Sequence, residues 1–145
     1  MSIENRPEKN MLFVYGTLMN NYKNNYILTN SNKSIFKGCT KTMDKYSMFV
    51  MGNADGYNNG KGVPFVNKSI STSHIYGEVW EINNDTLIEI DKLEGHPGWY
   101  TRENIDVIID NNIINVYIYI NNNVDNIGYY KDDVKLVNSG NFNIQ

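Results

Sequence analysis

A chain of 145 residues has room for one domain around one core and not comfortably for two. Thirteen Lys and Arg against sixteen Asp and Glu leave a net charge of -3, so no overall basic field recommends nucleic acid or an anionic membrane as partner. One cysteine excludes an intrachain disulfide, and with two histidines it makes a poor zinc inventory, so no metal or other cofactor is expected.

Residues 1–9 are polar and charged, which reads as a short tail ahead of a single domain over 10–145 and lacks the apolar core of a secretory signal. No later stretch approaches the roughly 18 apolar residues of a membrane span, so the expected setting is cytoplasmic and the expected partner a small molecule. Met11-Leu12-Phe13-Val14-Tyr15 is an apolar run that stops at Gly16, the pattern of a buried strand followed by a tight turn. Residues 20–28 carry Tyr22 and Tyr26 at helix-like spacing and predict a short helix. Strands are expected over 34–42, 46–51, 63–67 and 75–82, with a loop rich in Gly and Asn over 52–62. Asn84-Asp85-Thr86 then supplies N-cap candidates, Thr86 and Glu89 resemble a capping box, and Gly95 is placed as a C-cap, which brackets a helix over 85–94. Residues 100–109 and 113–120 are rich in Ile, Val and Tyr and flank Asp110-Asn111-Asn112, whose tolerance of positive φ makes a hairpin. Many strands, two short helices and no βαβ alternation give an α+β class with a curled or closed sheet.

Two places attract chemistry. Gly16, in the turn Tyr15-Gly16-Thr17-Leu18, frees the backbone so that consecutive N–H groups can converge on an anion, and a helix beginning after Leu18 would add its positive end. An ordinary strand-ending glycine turn has the same signature. Leu87, Ile90 and Glu94 stand at i, i+3 and i+7, so a carboxylate occupies the next place on an apolar stripe. Burial and the negative helix end would both raise its pKa toward that of a general base, whereas a frayed end would leave it in solvent. His74 and His96 are not spaced as a metal pair. Arg102 is placed to anchor a carboxylate of a substrate or of a neighbour, the structural ion pair being the commoner use, and Cys39 is expected to be a buried structural thiol rather than a nucleophile.

Taken together, Phe13-Val14-Tyr15-Gly16-Thr17-Leu18, Ile75-Tyr76-Gly77-Glu78-Val79-Trp80, and Ile90-Asp91-Lys92-Leu93-Glu94-Gly95 followed by Tyr100-Thr101-Arg102 resemble the gamma-glutamylcyclotransferase-like family. The gamma-glutamylamine cyclotransferase and AIG2-like branch fits best, with Val63-Pro64-Phe65 as a further matching segment. The resemblance implies a small mixed β-barrel with flanking short helices. It implies a substrate pocket formed by Tyr15, Gly16, Thr17, Leu18 and Tyr100, and Glu94 as the catalytic acid/base. The implied reaction releases 5-oxoproline from a gamma-glutamyl amine or related conjugate by intramolecular amine attack. The alternative on the same fold is a non-catalytic module that binds a gamma-glutamyl metabolite or a protein partner. The leaving amine and the oligomeric state are not legible in the residues.

Overall fold

A computed structural model describes residues 9–30, 34–51, 62–122 and 134–144, so most of the predicted N-terminal tail and of the 52–62 loop lies outside the described residues. The chain runs β1 (Asn10–Val14), α1 (Tyr26–Thr29), β2 (Ile35–Lys41), β3 (Ser47–Met51), β4 (Val63–Asn67), β5 (Tyr76–Ile82), α2 (Asn84–Glu94), β6 (Thr101–Ile109), β7 (Asn112–Ile120) and β8 (Val134–Leu136). Five strands form one sheet in the order β2-β5-β1-β7-β6, and three form a second in the order β4-β3-β8. The class is α+β, as expected.

β1 is central because Leu12, Phe13 and Val14 are all buried, leaving it no solvent face. It pairs antiparallel with β5, Val14 opposite Glu78, and parallel with β7 at Leu12 and Tyr117. The expected barrel is realised as a curled sheet whose edge strands β2 and β6, among the described residues, meet at one end. There Thr42 bridges Val107, and Thr40 Oγ1 donates to Ile108 O at 2.5 Å. A bulge at Phe36 and Gly38, the latter at φ 140°, bends β2 toward that meeting. In the second sheet Pro64 sits on the outer strand β4, where its missing N–H costs no ladder bond.

The β6–β7 hairpin forms as predicted. Asp110 and Asn111 occupy its turn at φ 51° and 65°, and their side chains are among the few that accept that region. The helix over 85–94 also forms, but its cap differs from the expected one. Asn83 accepts from Thr86 N at 2.8 Å, so Thr86 lies inside the first turn and the capping box does not form. Gly95 closes the helix in the left-handed conformation at φ 67°, with His96 N donating to Asp91 O at 2.9 Å.

Three further expectations need correction. The helix predicted over 20–28 shrinks to the four residues of α1, and turns fill the interval after Gly16. Asn21 takes φ 75°, while Asn24 Nδ2 bonds Thr17 Oγ1 and Asn25 Nδ2 bonds Leu18 O, both at 2.8 Å. Asn side chains compete with helical hydrogen bonds in this way, so no helix end stands behind the Gly16 turn. Cys39 is exposed on β2 rather than buried. The third concerns Gly16 itself, taken up below.

Asn83→Ala should lower stability by about 1 kcal/mol in urea melts, whereas Asn83→Asp, which keeps an acceptor for the Thr86 N–H, should stay near wild type. Equal loss in both variants would mean that the cap acts by something other than this hydrogen bond.

Candidate active site

A pocket of about 230 Å³ opens where the C-terminal end of β1, the start of β4 and the end of α2 meet. Tyr15, Gly16, Thr17, Leu18, Glu94 and Tyr100, all singled out in the sequence, line it together. Pro64, Trp99, Tyr119 and Lys23 line it as well and were not foreseen.

The turn after β1 differs from expectation in how it uses its glycine. Gly16 has no positive φ; a Cβ there would instead lie 2.5 Å from Pro64 Cγ. The residue is needed because β4 passes too close for any side chain. Beyond it, Met19 N donates to Gly16 O and closes the turn. The backbone N–H groups of Gly16, Thr17 and Leu18 have no acceptor among the described residues. Buried N–H groups are rarely left so, and three in succession beside a pocket suit an anionic or carbonyl oxygen.

Glu94 reaches the pocket from the last turn of α2. Leu87 and Ile90 are buried on the same stripe, which turns this face of the helix toward the sheet. The Glu94 side chain has no hydrogen bond or ion pair among the described residues. Burial raises its pKa to about 7.

One turn earlier on the same helix, Asp91 is fully engaged. Its Oδ2 meets Arg102 Nη1 at 2.5 Å and its Oδ1 accepts from Tyr119 OH at 2.6 Å. Arg102 and Tyr119 are directly opposed in the β6–β7 ladder, so one register position presents two donors to one carboxylate. Arg102 therefore makes the structural ion pair, and it also lies over the Tyr117 ring at 4.8 Å. His96 is drawn into the same join, its Nδ1 accepting from Arg102 N at 3.0 Å.

The tyrosines build walls. Tyr15 OH donates to Tyr119 O and Tyr100 OH to Pro64 O, each at 2.8 Å. Burial first, then Tyr100 and Glu94 nearby, pushes the Tyr15 hydroxyl upward, and burial followed by Glu94 does the same to Tyr100. Both stay protonated donors near neutrality, so Glu94 is the pocket group poised to exchange a proton there. Among the described residues no three His, Cys, Asp or Glu side chains converge as a metal site, and no helix is long and apolar enough to cross a membrane.

The family described as gamma-glutamyl cyclotransferase, AIG2-like, matches residues 12–143, and the chain belongs to it. A Methanocaldococcus jannaschii protein with a provisional gamma-glutamylcyclotransferase name is 38% identical over 99 residues, 68% of this chain and 72% of that one. Gamma-glutamylaminecyclotransferase A of Danio rerio is 33% identical over 101 residues, 68% of this chain and 58% of that one. The crystal structure of an AIG2-like protein from Mus musculus superposes with a TM-score of 0.63 at 19% identity, covering 79% of this chain and 78% of that one, and shares the fold.

Gly16→Ala should destabilise the protein by about 1 to 3 kcal/mol, as overpacking does, and Pro64→Ala in the same chain should return part of the loss. Thr17→Ser keeps the hydroxyl that Asn24 bonds and should be nearly silent. Thermal melts of wild type, Gly16→Ala, Pro64→Ala, the double variant and Thr17→Ser decide it, and additive losses in the double variant would remove the Gly16–Pro64 contact as the cause.

Proposed function

We propose that the chain is a cyclotransferase that closes the γ-glutamyl group of an amine conjugate to 5-oxoproline, with Glu94 as its general acid/base. One observation carries this reading: a carboxylate with a pKa of about 7 shares a pocket with three backbone N–H groups, and among the described residues neither it nor they have a hydrogen-bond partner. The named activity of the Danio rerio relative supports an amine conjugate as the substrate class.

Ionised Glu94 takes a proton from the substrate's α-ammonium. The freed amine attacks the γ-carbonyl carbon of the same molecule, and Glu94 returns the first proton to the departing nitrogen and takes a second from the attacking nitrogen. As the tetrahedral intermediate collapses the bond to the departing amine breaks, and the second proton follows, so that the amine leaves as an ammonium. Atoms and charge balance without a second reactant. The α-carboxylate rests on the N–H groups of Gly16, Thr17 and Leu18, and Tyr15 and Tyr100 wall the folded substrate. Nucleophile and electrophile belong to one molecule, so holding it bent supplies much of the rate, and one base suffices for the proton transfers.

The deciding experiment is a screen for 5-oxoproline release from γ-glutamyl amines, γ-glutamyl amino acids and γ-glutamyl peptides. Release from at least one class is expected; binding of 5-oxoproline with turnover of none would replace the enzyme by a binding module. Glu94→Gln should lower turnover by about 100-fold or more while 5-oxoproline still binds, and a variant with normal turnover would refute the base assignment.

The pH dependence has a definite sign. Activity should rise with pH through about 7 as Glu94 ionises. Folding stability should fall over the interval up to about 7, because the folded state there holds a proton that the unfolded state has already released. Glu94→Gln should flatten both curves over that interval.

A further inference from the structure

Glu78 is a buried carboxylate, 8% exposed, that the chemistry above leaves unused. It lies on β5, and its backbone is opposite Val14, the last residue of β1. Its side chain accepts from Asn20 N through both oxygens, at 3.1 and 3.2 Å, and Oε1 accepts from Trp80 Nε1 at 3.0 Å. Residues 15–19 are the segment between Val14 and Asn20, and they contain the three N–H groups without acceptors. One residue therefore holds both ends of that segment, by strand pairing at one end and by its carboxylate at the other.

We infer that Glu78 is the positioning residue of the substrate cradle: it clasps the five-residue turn 15–19 at both ends and so sets where the Gly16, Thr17 and Leu18 N–H groups stand. The turn has no helix behind it; Asn24 and Asn25 brace Thr17 and Leu18 from the residues that follow, Tyr15 OH ties its first residue to Tyr119 O, and Glu78 ties its far end to the sheet. The Met19 to Gly16 hydrogen bond closes the turn internally but does not tie it to the sheet. A carboxylate accepting a backbone N–H makes a stronger tether than a neutral acceptor, and Trp80 orients it from the same sheet face two residues along. Gly77 completes the device: a side chain there would collide with Val14 O and the Phe13 ring, which would force β5 away from β1 where the clasp operates.

The effect on the turn is independent of the cyclotransferase reading, whereas its kinetic consequence rests on it, so two measurements are paired on the full chain. Amide hydrogen exchange followed by NMR should show Asn20 protected in wild type. Glu78→Asp keeps the charge but falls short by one methylene, and Glu78→Gln keeps the length but puts a donor where one acceptor stood. Both should lower Asn20 protection about tenfold or more and raise KM for the γ-glutamyl conjugate about tenfold. The acidic limb near pH 7 should stay in place, because Glu94 is untouched. Should Glu78→Asp fail to fold, the near-isosteric Glu78→Gln carries the same test. Retained Asn20 protection with KM within about twofold of wild type, and only the melting temperature lowered, would reduce Glu78 to a structural residue and overturn the proposal. If wild type releases no 5-oxoproline from any conjugate, the cyclotransferase reading fails, and the exchange data still decide the clasp.

Discussion

The helix that carries Glu94 is fastened to the sheet at one carboxylate, and the pocket depends on that fastening. Asp91 receives Arg102 and Tyr119 from opposed positions of a single hairpin, so rotation or sliding of α2 would break both contacts together. Partly buried charges are stable when paired and hydrogen-bonded, and Asp91 meets both conditions. Glu94, three residues on, meets neither among the described residues. The same helix face thus presents one satisfied carboxylate that holds position and one unsatisfied carboxylate whose pKa is raised to about 7 by burial. The first makes the second possible, since a group that could swing to solvent would lose the environment that tunes it.

On the opposite wall the backbone of residues 16–18 lines the pocket. Pro64 presses against Gly16, and the turn that follows is shaped by Asn side chains rather than by a helix. The two walls come from segments far apart in sequence and are joined by two hydrogen bonds at 2.8 Å, Tyr15 OH to Tyr119 O and Tyr100 OH to Pro64 O.

Where local chemistry decides the outcome, the residues are readable in advance. The Asp110-Asn111 turn and the Gly95 cap each require an unusual backbone angle that few residues supply, so hairpin and helix end were legible. The cap at Asn83 was missed by one residue because Asn83, Asn84, Asp85 and Thr86 can all cap, and propensity does not rank them. The short α1 was overestimated for a related reason: tyrosine spacing signals a helix, but the competing hydrogen bonds of Asn24 and Asn25 are visible only in three dimensions. The three-residue β8 is too short to carry a pattern. The inward position of Glu94 was legible from its stripe. The partners of Asp91 lie 11 and 28 residues away, and Pro64 lies 48 from Gly16, separations at which no periodicity speaks.

The two tryptophans divide the molecule optically. Trp99 is 40% exposed and lines the pocket, whereas Trp80 is buried, stacked edge-on against Phe36 at 5.3 Å and bonded to Glu78. A solute entering the pocket changes the surroundings of the first indole and leaves those of the second alone; loss of the sheet changes both. Emission from the unlabelled protein therefore separates occupancy from unfolding, with a Trp99→Phe variant isolating the buried reporter and a Trp80→Phe variant the exposed one.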